Sequence, residues 1–185
     1  MKVKPSSKQG HVVVEVGDKD EQILADGAGT PASFQLRKIL VPTDFSDCSK
    51  KALQYAIPFA KQFGASLTLL NVVQISYPTG ELGPMEPPIS ETELAETVQK
   101  QLAGLIEQEI AGRVSATALV RIGRPTEEIL LTAREQEVDL IIISTHGHTG
   151  LKHVLLGSTA EHVVRRAPCP VLTVREHEHD FVPVG

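Results

Sequence analysis

The chain has no tryptophan, two tyrosines and five phenylalanines, so it lacks the aromatic platforms on which nucleic-acid bases stack. Neither sign of charge dominates: 18 Lys and Arg face 23 Asp and Glu, for a net charge of -5, and the basic residues are scattered rather than gathered on a stripe. A nucleic-acid partner is therefore not expected. No apolar run approaches the roughly 18 residues of a membrane span, and the opening M-K-V-K-P-S-S-K lacks the apolar centre of a secretory signal, so the expectation is no membrane partner and a cytoplasmic location. Cysteine is limited to Cys48 and Cys169. One stands at a predicted helix start and the other between two prolines, which favours free thiols over a disulfide framework.

What is present is enough for a core. A chain of 185 residues, 41% of them hydrophobic, accommodates one α/β domain with flexible ends. Residues 1–35 read as an N-terminal extension, with one apolar patch from His11 to Val16 that predicts a single edge strand. Residues 36–175 carry the regular pattern, and residues 176–185 form a charged tail that reads as loose.

Within the domain, apolar runs and helical stripes alternate. Lys38 to Val41 predicts a strand, and Ser46 to Phe63 a helix with Ala52, Leu53, Ala56, Ile57 and Ala60 on one stripe. Ser46 or Asp47 supplies its cap, Gly64 its stop, and Pro58 predicts a kink or a break, because proline removes a donor from a helix interior. Ser66 to Val73 is the second strand. Tyr77 to Pro88 contains four prolines and two glycines, a composition that predicts an exposed loop without regular structure. Ser90-Glu-Thr-Glu93 is a capping box opening a helix to about Ile110, whose face carries Leu94, Val98, Leu102, Leu105 and Ile106. Ala116 to Val120, Leu140 to Ser144 and Pro170 to Val174 are three further strands. Helices at Pro125 to Gln136 and Thr159 to Arg166 stand between them. The series βαβαβαβαβ, with right-handed crossovers, gives a doubly wound parallel sheet of five strands with helices on both faces. Ligands of such sheets bind at the carboxyl ends of the strands, near the switch in strand order.

Two strand ends carry the residues suited to that role. Pro42-Thr43-Asp44 follows the first strand, where a carboxylate can accept hydrogen bonds from a ribose or an adenine amine. The stretch Ile141 to Ala160, I-I-I-S-T-H-G-H-T-G-L-K-H-V-L-L-G-S-T-A, follows the fourth: a buried β-branched run, a glycine-bearing loop, and Gly157-Ser158-Thr159 at a helix start. Glycines let backbone N-H groups approach a ligand, and a helix start presents free donors and a positive dipole end to phosphates.

Lys38-Ile-Leu-Val-Pro-Thr-Asp-Phe-Ser46, Gly123-Arg-Pro125 and the Ser144 to Thr159 segment together resemble the universal stress protein family. That resemblance implies strand order 3-2-1-4-5, a homodimer through the last strand, and, in one branch, ATP held by a G-x2-G-x9-G-[S/T] pattern. Gly147 and Gly157-Ser158 fall in register with that pattern, whereas its first glycine position is Ser144. A hydroxyl there either crowds the ribose or α-phosphate or donates a hydrogen bond to it. Carried over position by position, the resemblance puts Pro42, Thr43, Asp44 and Val72 near adenosine. It puts Ser144, Thr145, His146 and Gly147 near ribose and phosphates, and Gly157, Ser158 and Thr159 on phosphates. ATP, with Mg2+, or another adenine nucleotide is the implied ligand, and a stress-response or signalling role the implied function.

Plainer readings stand beside these. Asp44 can cap the first helix, and Gly147 and Gly150 can serve turn geometry alone. His146, His148, His153 and His162 have no metal-site spacing, His177-Glu-His179 fits an exposed polar tail, Lys152 fits a solvated lysine, and Cys169 a small apolar residue. No G-x-S-x-G elbow, P-loop lysine or paired carboxylates appear, so no catalytic residue is assigned. Hydrolysis, which would need a water held by Asp44, His146 or Mg2+, would be slow. A dimeric interaction module of the same fold without nucleotide is the alternative. An adenylyl-transferring enzyme is disfavoured, because Pro42-Thr43-Asp44-Phe45 stands where its H-x-G-H loop would be.

Overall fold

The computed structural model describes residues 2–5, 12–15, 35–75, 79–80, 83–84, 90–146 and 156–179, and the chain divides into two units, Met1–Gln35 and Leu36–Gly185. In the first unit, β1 (Lys2–Pro5) pairs antiparallel with β2 (Val12–Glu15). One strand was expected there, and β2 falls inside its range. Its partner escapes sequence reading because Lys2–Pro5 alternates over only four residues and ends in proline. A two-stranded ribbon has two edges, where proline is tolerated.

The second unit follows its periodicity closely. β3 (Lys38–Pro42) leads to α1 (Asp47–Phe63), then β4 (Ser66–Val73), and a miniature ladder of β5 (Thr79–Gly80) with β6 (Gly83–Pro84). After it come α2 (Glu91–Leu105), β7 (Ala116–Ile122), α3 (Pro125–Glu135), β8 (Leu140–Ser144), α4 (Ser158–Arg166) and β9 (Val171–Val174). The five long strands are all parallel, in the order β7-β4-β3-β8-β9, which is 3-2-1-4-5 counted along this unit.

Strand residues of alternating parity feed two cores. Ile39, Val41, Leu67, Leu69 and Ile142 pack with α1 and α2, through residues such as Leu53, Ala56, Leu102 and Leu105. Leu40, Leu70, Ile141 and Ile143 pack with α3 and α4, through Ile129, Ala133, Ala160 and Val163. The sheet is thus covered on both faces, which is why its central strands are continuous apolar runs.

Four details differ from the sequence expectation. α1 is continuous through Pro58; the donor that proline lacks would have gone to Gln54, an exposed residue whose carbonyl water can serve. The helix expected to reach Ile110 ends its α-helical course at Leu105 and finishes in a π turn, Ile106–Ile110, closed by Ala111 at φ 47°. The proline-rich loop does contain regular structure, the β5–β6 ladder, because two facing glycines make a two-residue pairing that needs no apolar period. The tail beyond β9 is tied down over its described part: Arg175 pairs with Glu178 at 3.0 Å, and the Tyr55 hydroxyl donates to the His179 carbonyl.

Caps agree with the sequence: Ser46 and Ser90 cap α1 and α2, and Glu93 completes the capping box. Gly64 ends α1 at φ 68°, a left-handed position that suits glycine. At the β7 edge of the sheet, Gln99 of α2 donates through Nε2 to the Ala118 carbonyl at 3.3 Å. No described helix is long and apolar enough to cross a membrane.

Candidate functional site

The chain reverses its direction of travel across the sheet between β3 and β8. α1 leaves β3 on one face and α4 leads from β8 on the other, as their membership of different cores shows. The two strands pair at Ile39↔Leu140 and Leu40↔Ile141 only, whereas β3 stays paired with β4 to Pro42 and β8 with β9 to Ser144. β3 and β8 therefore part at their carboxyl ends while each remains anchored on its outer side. That parting is the crevice expected at a topological switch point.

The wall contributed by β3 is a tightly bonded turn. Thr43 is 7% exposed; its N-H donates to the Leu70 carbonyl at 2.8 Å, and its own carbonyl accepts from Asn71 Nδ2 at 2.8 Å. Its Oγ accepts from the Phe45 N-H at 3.1 Å and lies 3.0 Å from Ser49 Oγ. Phe45 adopts φ 66°, a left-handed conformation that is costly for a bulky residue and persists only where its surroundings hold it. Here the Phe45 side chain packs against the α1-side core. Asp44, half-buried, accepts through Oδ1 from the Ser46 N-H at 3.1 Å and from Ser46 Oγ at 2.5 Å. Ser46, not Asp44, is the N-cap, and it accepts from the Ser49 N-H at 3.2 Å. Asp44 thus braces the cap and places a carboxylate at the rim of the crevice, beside the start of α1.

The wall contributed by β8 is made differently. Ser144 and Thr145 are buried and His146 is half-buried, with Thr145 Oγ 3.0 Å from His146 Nδ1. The Thr145 N-H donates to the Val174 carbonyl at 2.9 Å, so β9 anchors this wall. Its carbonyl accepts from the Gly157 N-H at 2.7 Å, which joins the two described ends of the β8–α4 connection. A Cβ on Gly157 would stand 3.0 Å from that same oxygen, tighter than side chains ordinarily pack, so glycine suits the close approach of the two backbones here. Gly157 is also the N-cap position of α4, in an extended conformation at φ -68° and ψ 155°. The first bond of α4 runs from the Glu161 N-H to the Gly157 carbonyl, leaving the N-H groups of Ser158, Thr159 and Ala160 without intrahelical acceptors. Gly147, His148, Gly150, Lys152 and His153 lie outside the described residues.

Val72 is half-buried in β4, opposite Arg121 of β7, and packs on the α3-side core two residues beyond Leu70, the partner of Pro42. The structure thus brings Pro42, Thr43 and Asp44 to one lip of the crevice and Ser144, Thr145 and His146 to the other. Gly157, Ser158 and Thr159 stand beyond the second lip, and Val72 flanks the first. Ser49 and Asn71 were not singled out from the sequence. A polar residue in the apolar run Ser66–Val73, and a serine facing inward from the α1 stripe, were the signals available.

Among the described residues, no group of three or more His, Cys, Asp or Glu is placed to hold a metal ion. Cys169 lies at the amino end of β9, away from the crevice. Burial pushes its thiol pKa up, and the Asp139 charge adds to the rise, which makes it a poor nucleophile at neutral pH.

Comparison with known proteins agrees with this architecture. The Universal stress protein family model matches residues 35–175. Universal stress protein YxiE of Bacillus subtilis is 37% identical over 145 residues, covering 75% of this chain and 98% of that protein. A universal stress protein of Methanocaldococcus jannaschii is 36% identical over 140 residues, covering 76% and 82%. Among solved structures, universal stress protein UspA from Lactobacillus plantarum superposes with a TM-score of 0.66 at 30% identity, over 77% of this chain and 99% of that one. Two more distant structures share the fold at 22% and 17% identity, with TM-scores of 0.57 and 0.51. The first is a universal stress protein in complex with cAMP, the second one from Archaeoglobus fulgidus in complex with dAMP. The α/β fold, with its crevice at the switch point, defines the class; the chain belongs to the universal stress protein family.

Proposed function

We propose that the crevice between β3 and β8 binds an adenine nucleotide, ATP accompanied by Mg2+ first among them, and that the protein acts as a nucleotide-responsive stress or signalling protein. The observation that carries this reading is the parting of β3 and β8 at the carboxyl edge, with a braced carboxylate on one side and a helix start on the other. Asp44 offers acceptors to a ribose or an adenine amine. The N-H groups of Ser158 and Thr159 offer phosphates donors and the positive end of α4. Gly157 contributes close approach rather than a donor, since its N-H is committed to Thr145. Mg2+ would travel with the phosphates. The same fold in complex with cAMP and with dAMP in two distant relatives supports a nucleotide of this class. The nucleotide would act by changing the exposed surfaces or a homodimer formed along β9, whose outer side is the second edge of the sheet.

Isothermal titration with ATP and Mg2+ tests the proposal, run beside Ser158→Pro. Proline is well suited to the first helical position, and Gly157 already has the extended conformation that a residue before proline adopts, so the variant removes the N-H and hydroxyl donors of position 158 and keeps the helix. The expected result is binding by the wild type, weakened roughly tenfold or more in the variant, the worth of at least one charge-assisted hydrogen bond. Absence of binding by the wild type would overturn the proposal and favour an interaction module of the same fold, with Ser144 marking the loss of the nucleotide.

A further inference from the structure

We infer that Asn71 and Ser49 are positioning residues for the adenosine side of the site: acting through Thr43, they hold the turn that carries Asp44. The inference rests on the nucleotide reading above and deepens it.

Counting hydrogens fixes the direction of the bonds. Ser49 Oγ lies 2.9 Å from the Ser46 carbonyl, which has only lone pairs, so the single hydroxyl hydrogen of Ser49 goes there. Ser49 Oγ, 3.0 Å from Thr43 Oγ, is then the acceptor in that contact, and Thr43 donates. Thr43 Oγ in turn accepts from the Phe45 N-H. The order Phe45 N-H to Thr43, Thr43 to Ser49, Ser49 to Ser46 leaves the Thr43 hydroxyl with no hydrogen to give a ligand. Its N-H is spent on Leu70 and its carbonyl accepts from Asn71. The Thr43 hydroxyl is therefore a fastening point rather than a donor to a ligand, although it adjoins the crevice.

That fastening has work to do. Phe45 sits at φ 66°, which a non-glycine residue does not hold unaided, and the bond from its N-H to Thr43 is part of what holds it. Asp44 lies between the two residues so fixed. Ser49 is 1% exposed and Asn71 is 8% exposed, and they reach the turn from different elements, α1 and β4. Removal of either leaves one end of the turn unpinned and lets the Asp44 carboxylate wander relative to the helix start across the crevice.

The experiment divides the ligand. Adenosine, inorganic tripolyphosphate and ATP are titrated by NMR, which reads weak binding, into wild type, Ser49→Ala, Asn71→Ala and Thr43→Ser. Melting by circular dichroism is recorded in parallel. Ser49→Ala places a good helix former in α1 and decides the matter if Asn71→Ala does not fold. Expected are equal losses of roughly tenfold for adenosine and ATP in the alanine variants, with tripolyphosphate within about twofold of wild type. Thr43→Ser, which keeps the hydroxyl, should bind like the wild type. Unchanged adenosine affinity in a folded alanine variant overturns the inference, and so does an equal loss on all three ligands, the mark of a merely structural role. Wild type that takes tripolyphosphate but not adenosine overturns this inference alone. Wild type that takes none of the three overturns the nucleotide reading itself.

Discussion

The β3–α1 turn and the described ends of the β8–α4 connection are held by different means. The β3–α1 turn is knitted by side chains: Thr43, Asp44, Ser46, Ser49 and Asn71 each give or take a hydrogen bond within it. The described ends of the β8–α4 connection are joined through backbone, by the Gly157 N-H on the Thr145 carbonyl. A loop made from side chains depends on which polar atoms are present. A junction made from backbone is sensitive to added volume, here at Gly157. The first should respond to the loss of single oxygen or nitrogen atoms, the second to added volume.

Substitutions that exchange these sensitivities would break the contrast. The largest effect is expected from Gly157→Val, whose branched side chain must force apart two backbones now 2.7 Å from N to O. A cost of about 1–3 kcal/mol is typical of overpacking, and denaturant unfolding should read it, together with loss of ATP binding. Gly157→Ala should show a smaller part of the same loss. Next is Ser46→Ala, which removes the cap of α1 and both of the serine's bonds to its neighbours' polar groups through Oγ. It should cost about 1 kcal/mol by the same measurement and weaken adenosine binding more than tripolyphosphate binding. The smallest is Ser158→Pro, expected to leave unfolding within about 0.5 kcal/mol of wild type despite its effect on phosphate binding. A large destabilisation by that variant would mean that side chains matter in the second loop as well, and the contrast would fail.

Most of the fold was legible because it is written in period and punctuation. The apolar runs at Ser66–Val73 and Leu140–Ser144 have the ends the sequence suggests, since both are buried strands bounded by polar or glycine residues. Ser90-Glu-Thr-Glu93 announced its helix by a local rule and formed the box. What escaped depends on partners far along the chain or on compensation by water. Pro58 signalled a kink or a break, and the helix continues through it without a break. Ile106–Ile110 keeps helical spacing while its bonding changes to a π turn. At the site, the sequence placed Thr43 and Asp44 at a strand end but could not say that Asn71, 28 residues on, would meet the Thr43 carbonyl. Nor could it separate two reasons for a glycine at position 157, phosphate approach and backbone crossing, because both ask for the same absent atom.

The contact between Gln99 and the Ala118 carbonyl bears on growth. An open sheet has two margins at which another strand can dock, and a protein with both margins receptive is a link in a chain of indefinite length. Here one margin has a helix side chain seated on a carbonyl that an incoming strand would need. The two margins are thereby unlike: a strand arriving at β7 would have to displace a side chain of its own sheet's helix layer before it could pair there.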